Sequence, residues 1–490
     1  VRSSGRGAEY VDLDHLDWVE DPPRSARSAG DRRGERSAAA SGGSGAARTS
    51  AAQTGRASIQ AARASAHSSR AKAESQRRGA RNASGPPAVV LGPGVAERRA
   101  LMLVTFLLVV YGLVMAYSAS AAQAYFDYGS SFYMFGRQAL WVGIGVGTMY
   151  VLSRVDYAWF RKAAVPLAGL ALAGLCLVLV PGIGSVVNGA RRWIIVGGQG
   201  VQPSEFAKLA CVVLIATLIV KRPREVLTLP GFLRLAATGI LPAAALIMLE
   251  PDLGTTLVLV TAVAAVIVAA GAPLRYLFGL AVFGVVCVLV LIVMEPYRLE
   301  RLVTFLDPWK DQQGTGYQAT QSLISIASGR VFGIGLGNSV QKFGFLPEQT
   351  TDMITGIIGE ELGLAGLLVL LALYAALAWV CFRIALNCKD LFGKLLATGI
   401  TAIVIGQACI NVGAALGVLP LTGVPLPLVS LGGTSMLVVL AGLGIMLNIA
   451  TNRRSHIAVS AQRRDGGKNP RKTAHSGRSE RMRSSSFDKV

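Results

Sequence analysis

The sequence predicts an all-α integral membrane protein with about ten transmembrane helices, both termini cytoplasmic, and one large extracellular loop between spans seven and eight. Three observations carry that prediction. Of 490 residues, 52% are hydrophobic and 16% charged, and the mean hydropathy is +0.49, a balance that cannot clothe an ordinary water-facing surface. Apolar runs recur from Leu101 onward, each near the roughly 20 residues a helix needs to cross about 30 Å of hydrocarbon. Basic residues gather in alternate connections between those runs, which sets the orientation.

Taken in order, residues 1–99 are rich in Ser, Ala, Gly and Arg and hold 17 basic and 10 acidic residues. Such a segment cannot bury enough apolar surface to offset its ordering entropy, so it is expected as a disordered, basic cytoplasmic tail. It contains no early apolar stretch, so the first span is expected to act as an uncleaved anchor. Residues 100–451 form the membrane body, with spans expected at 101–121, 137–153, 163–180, 204–220, 232–249, 253–271, 276–294, 353–381, 393–415 and 433–450. Residues 452–490, with 11 basic and 3 acidic residues, are a second disordered basic tail. The net charge of +20 therefore belongs mostly to two appendages and does not describe a nucleic-acid-binding face.

Arg154, Arg161 and Lys162, then Lys221, Arg222, Arg224 and Arg234, then Arg275, then Arg383, Lys389 and Lys394 mark the cytoplasmic connections. One connection on the opposite side, from Glu295 to Thr351, is far longer than the rest, and long loops in a compact body are commonly functional. His15, His67, His456 and His475 all lie in the tails, which excludes a haem, a His-held zinc or a His general base from the membrane body. Cys176, Cys211, Cys287, Cys381, Cys388 and Cys409 lack CxxC spacing and read as small apolar side chains.

The chemistry-bearing residues fall at the outer connections. NGARRW, from Asn188, breaks the local charge bias with Arg191 and Arg192, whose forked donors suit phosphate oxygens; two snorkelling arginines with Trp193 as an interfacial anchor explain it equally well. Pro203 and Ser204 start a helix that places Glu205 and Lys208 one turn apart inside a membrane segment, where ionisable groups face a cavity or a partner. Glu250 and Asp252 flank Pro251 and read first as helix caps. The glycines from Gly333 to Gly337 have no GK[ST] after them, so they are no nucleotide loop, and a synthetic enzyme here would need a substrate already activated, such as a lipid-linked diphosphate. In LPEQTTDMI, which contains Glu348, Asp352 is either an N-cap or a general base, and composition does not choose between them.

Through NGARRW, QPSEFAK from Gln202, EPDLGTT from Glu250, GYQATQSL from Gly316, GIGLGNSVQKFGFLPEQTTD from Gly333, IGEELG from Ile358 and LPLTGVPLPLVSLGGTS from Leu419, residues 100–454 resemble the SEDS family of bacterial cell-wall polymerases (shape, elongation, division and sporulation). NGARRW and the long tails are more similar to its division member than to its elongation member. The resemblance implies an inverting glycosyltransferase that polymerises lipid II into peptidoglycan strands on the outer face of the cytoplasmic membrane of a bacterium, at the division septum, and releases undecaprenyl diphosphate. It implies Asp352 as the catalytic carboxylate, with Arg191, Arg192, Glu205 and Lys208 lining the same cavity; Trp193, Lys342 and Glu348 join them as candidate substrate-binding residues, Lys342 as a cation for the leaving diphosphate. The implied partners are lipid II and undecaprenyl-linked glycan, a class B penicillin-binding protein acting as a monofunctional transpeptidase, and other divisome proteins. A divalent cation, magnesium or manganese, would find only oxygen ligands in a body without histidine. Thr351 stands where the family commonly has His, Met353-Ile354-Thr355 where Phe-Ile-Phe is common, Arg330 in a segment usually rich in glycine, and Leu431 where Tyr is frequent. The competing expectations are a lipid II transporter using the same polar cavity, and the same polymerase serving elongation.

Overall fold

The computed structural model describes residues 94–187, 189–294 and 305–465. The expectations for residues 1–93 and 466–490 of the two tails, for the side chains of the four histidines and Cys287, for Asn188, and for the start of the long connection (295–304) lie outside the described residues; the remainder of the expected disordered tails, 95–99 and 452–465, is instead helical, continuing the neighbouring apolar helices.

The helices in chain order are α1 (Val95–Tyr128), α2 (Tyr133–Arg154), α3 (Ala158–Leu179), α4 (Pro203–Lys221), α5 (Leu229–Gly239), α6 (Leu241–Leu249), α7 (Leu253–Ala269), α8 (Leu274–Met294), α9 (Tyr317–Ser328), α10 (Ile354–Asn387), α11 (Leu391–Ala415) and α12 (Gly433–Asp465). Local chemistry sets several of these starts. Pro203 opens α4, where its missing N–H costs nothing. Asp252 caps α7 by accepting from the Thr255 N–H at 2.9 Å, and Asp390 caps α11 through the Gly393 N–H at 2.9 Å.

Each apolar run predicted as a span falls on a helix. Among the described residues, α1, α3, α4, α10, α11 and α12 are individually long and apolar enough to cross a membrane, and the α5–α6 pair, bent by 44°, makes a seventh. Among the described residues the expected count of ten is not confirmed helix by helix. α7 has 17 residues, and α2 carries Arg137, Gln138 and Arg154 among its apolar positions. The connection between α3 and α4 also departs from a plain loop: β1 (Gly184–Val187), β2 (Ala190–Val196) and β3 (Gln199–Val201) form an antiparallel sheet. Likewise the long connection carries α9 and a single 3₁₀ turn, Gln341–Phe343.

Two stretches of irregular backbone define the sheet end of the bundle. The first is the segment between α11 and α12, in which Val424, Leu426, Leu428, Val429 and Ser430 are buried. Non-helical backbone among apolar helices survives only where its polar groups are satisfied by protein, and here side chains supply the bonds. Asn411 Nδ2 donates to Val424 O at 2.8 Å, Gln407 Nε2 to Pro425 O at 3.1 Å, Tyr374 Oη to Pro427 O at 2.5 Å and Gln138 Nε2 to Ser430 O at 3.1 Å. The segment also presses on α1 at Gly112, where a Cβ would stand 2.3 Å from Leu428 O and 2.7 Å from Val429 Cα. Because backbone rather than a flexible side chain opposes it, Gly112→Ala is expected to destabilise the protein by about 1–3 kcal/mol, read as a lower Tm in detergent.

The second stretch breaks α10. Gly363 has φ 66° and ψ −163°, so the helix divides into Ile354–Leu362 and Leu364–Asn387. The chain after α9 lies across this gap and pairs with both sides: Leu364 N–H donates to Arg330 O and Ala365 N–H to Val331 O, each at 2.9 Å, while Ile334 and Gly335 N–H donate to Glu360 O and Glu361 O, each at 3.0 Å. The second half alone, about 24 residues, covers about 36 Å and suffices as a span. The expected eighth span, 353–381, is therefore shifted toward the C-terminus, and the buried Glu360 and Glu361 sit at its mouth, before the lipid-crossing part begins.

Candidate active site

Asp352 lies in the turn leading into α10, half-buried, with Met353 rather than Asp352 at the N-cap position. The main chain of its turn is fixed at three successive carbonyls. Asn411 Nδ2 donates to Asp352 O at 2.8 Å, Ser430 Oγ donates to Thr351 O at 2.5 Å, and Leu431 N–H donates to Thr350 O at 2.9 Å. Asn411 is itself oriented, since its Oδ1 accepts from Thr355 Oγ1 at 2.8 Å. The carboxylate faces Gly423, with Oδ2 3.4 Å from the place a Cβ there would occupy. Gly423 has φ 70°, a conformation glycine adopts without strain. The adjoining Thr422 and Val424 lie against Gly254 at the start of α7, so this strip of backbone separates Asp352 from the α6–α7 turn.

That turn is gripped by Arg192. Pairing of Val186 with Arg191 and of Ser185 with Trp193 leaves Arg192 as the extra residue of a bulge, a device that re-aims a side chain. Its Nε donates to Glu250 O at 3.0 Å, Nη2 donates to Pro251 O, and Nη1 stands 3.9 Å from Asp252 Oδ2. Asp252 also accepts from Gln202 Nε2 at 3.3 Å and Thr255 Oγ1 at 2.8 Å. Arg192 thus holds this connection together. Arg191 is partly exposed and, among the described residues, has neither an ion pair nor a side-chain hydrogen bond, so the two arginines are not equivalent. Trp193 packs its ring against Gly200 of β3.

Glu250 is fully buried and neither carboxyl oxygen has a hydrogen-bond partner. Burial, reinforced by neighbouring Asp252 and opposed by Arg192, raises its pKa from 4.5 to about 8. The native state then keeps a proton that the unfolded chain releases. This group's contribution to stability is fully present below about pH 4.5 and is lost as pH rises through about 8, by up to about 1.4 kcal/mol per pH unit. Glu250→Gln, neutral at every pH, is expected to flatten that part of the Tm-versus-pH curve and to exceed the native protein in Tm above pH 8.

Glu205 and Lys208 are buried beneath this end, with Lys208 Nζ donating to Glu205 Oε1 at 2.8 Å and to Gln407 Oε1 at 3.1 Å. Lys342 is also buried, and its Nζ donates to Gly337 O at 2.5 Å and Glu361 Oε1 at 3.3 Å. Glu348 is exposed, with φ 54°, and accepts from Thr351 Oγ1 at 2.8 Å. The sequence-predicted residues therefore divide. Asp352, Arg191 and Glu348 have access to solvent, while Glu205, Lys208 and Lys342 are committed to buried ion pairs. Gln407, Asn411 and Gly423 escaped the sequence reading; two amides spaced i, i+4 in an apolar run were the available signal. Of the cysteines, Cys211 and Cys381 are buried as expected, whereas Cys176 and Cys409 are exposed and Cys388 is half-buried. Among the described residues no group of three His, Cys, Asp or Glu side chains could hold a metal ion.

A bundle of apolar helices with irregular backbone at one end and a fixed acid beside it defines a polytopic membrane protein with a polar site at the bundle mouth. The chain belongs to the FtsW/RodA/SpoVE family, described as cell cycle protein, which its residues 98–455 match. It is 40% identical over 356 residues to stage V sporulation protein E of Bacillus subtilis, covering 72% of this chain and 97% of that one. It is 42% identical over 369 residues to a probable peptidoglycan glycosyltransferase FtsW of Marinobacter nauticus, covering 74% and 91%. Its fold matches a solved structure described as the structural coordination of polymerization and crosslinking by a peptidoglycan synthase complex, with TM-score 0.62, 32% identity, and coverage of 72% of this chain and 97% of that one.

Proposed function

We propose that this protein is a peptidoglycan glycosyltransferase of the bacterial cytoplasmic membrane, polymerising lipid II on the outer face during septal division. Asp352 carries the reading. It is a half-buried acid in a turn whose carbonyls at Thr350, Thr351 and Asp352 are each hydrogen-bonded, by Leu431, Ser430 and Asn411. Asp352 takes the proton of the acceptor sugar's 4-hydroxyl; that oxygen bonds to the anomeric carbon of the donor sugar; and the bond from that carbon to the undecaprenyl diphosphate oxygen breaks, with inversion. Orientation by the fixed turn supplies much of the remaining acceleration. Since Arg192 and Lys342 already have partners, Arg191 is the cation available to the departing diphosphate. A divalent ion, if used, would be held jointly by substrate phosphates and few protein oxygens, and no step here depends on one.

Relatives named FtsW support the glycosyltransferase reading, and the matched synthase complex supports a crosslinking partner, a class B penicillin-binding protein. The division role rests on the sequence character of NGARRW and the tails. Reconstitution with that transpeptidase and labelled lipid II tests the reading: glycan polymer is expected. Lipid II crossing the bilayer with no polymer formed would instead favour a transporter.

A further inference from the structure

Two adjacent acids, Glu360 and Glu361, are buried immediately before the α10 break, and neither is used in the chemistry above. Glu361 accepts from Lys342 Nζ at 3.3 Å and from Ser118 Oγ of α1 at 2.6 and 2.8 Å. Glu360 accepts from the Val340 N–H at 3.1 Å, from Ser325 Oγ at 3.4 Å and from Ser339 Oγ. Between them the two carboxylates bind α1, α9 and the chain from Ser339 to Lys342. That chain then leads directly to the acid: Lys342 O accepts from Gln349 Nε2 at 2.9 Å, and Gln349 stands three residues before Asp352.

From this geometry we infer that Lys342 and Glu361 are positioning residues, whose buried ion pair fixes the turn carrying Asp352. The inference rests on Asp352 being the acid that acts on the acceptor hydroxyl. A buried pair adds little net stability over an apolar pair but strongly specifies one arrangement, because either charge alone is left uncompensated. Lys342 is 6% exposed and its ammonium already serves Gly337 O and Glu361, which on this inference gives it a positioning role where the sequence suggested substrate binding.

The full chain, purified with its transpeptidase, tests this through kcat and KM for lipid II. Lys342→Met and Glu361→Gln are each expected to lower kcat by about ten-fold or more with KM nearly unchanged, since displacing a catalytic group by about 1 Å can cost about a hundred-fold. The double variant, with neither charge left unpaired, is expected to recover most of that loss. A ten-fold rise in KM for Lys342→Met without recovery in the double variant would make Lys342 a substrate cation and overturn the inference. So would single variants with native kcat. Should the single variants not fold, Ser118→Ala leaves the ion pair in place while removing its hydroxyl support; a kcat about three-fold lower is expected, and a native kcat overturns the inference. Asp352→Asn run alongside separates the two readings: its activity at native level removes the acid itself, whereas an inactive Asp352→Asn beside native Lys342 and Glu361 variants removes only their positioning role.

Discussion

Asp352→Asn is expected to reduce lipid II polymerisation by about two to four powers of ten, the usual worth of a positioned base. The fold should survive. What anchors this turn to α11 and to the segment between α11 and α12 is its main chain, bonded by Asn411, Ser430 and Leu431, and all three bonds persist when the side chain becomes an amide. The α10 cap position belongs to Met353. Asp352→Glu should fail to restore activity, because one more methylene moves the carboxylate by about 1 Å or more from the place the fixed turn gives it. Initial rates of glycan formation by the purified protein with its transpeptidase provide the measurement, and near-native turnover by Asp352→Asn would remove the residue from the role.

The second large effect is on stability. Lys208 is entirely shielded from solvent, Glu205 is 2% exposed, and Glu205 Oε2 has no hydrogen-bond partner, so the ammonium is the charge that offsets the carboxylate. Lys208→Met leaves that carboxylate uncompensated and is expected to cost about 3–5 kcal/mol. Adding Glu205→Gln should return most of it, since removing both partners of a buried pair is commonly near neutral. Thermal unfolding in detergent distinguishes this from a purely substrate-binding pair, for which single and double variants would melt alike.

The parts of this molecule that could be read from sequence were those governed by local rules. Apolar runs located the helices, Pro203 and Asp252 announced helix starts, and the i, i+3 spacing of Glu205 and Lys208 anticipated their contact. Features decided by distant partners were not legible. Nothing in NGARRW signals that Arg192 occupies a bulge aimed at a turn 58 residues away, or that its neighbour is left open. Gly363 reads as one more small residue in an apolar helix until the chain after α9 is seen lying in the gap it creates. The partner of Lys342 is 19 residues further on, just before that break, so its charge looked available for phosphate. Asp352 was legible as a candidate only, because an N-cap and a base share one local pattern; the structure puts Met353 at the cap position of α10.

If Asp352 meets the sugar hydroxyl that reacts, a structure of the Asp352→Asn protein with its transpeptidase and lipid II will place the acceptor 4-hydroxyl within about 2.6–3.2 Å of the side chain at position 352, with a diphosphate on the Arg191 side of the mouth. Sugars bound at the opposite end of the bundle, or with no hydroxyl able to reach that side chain, would contradict it.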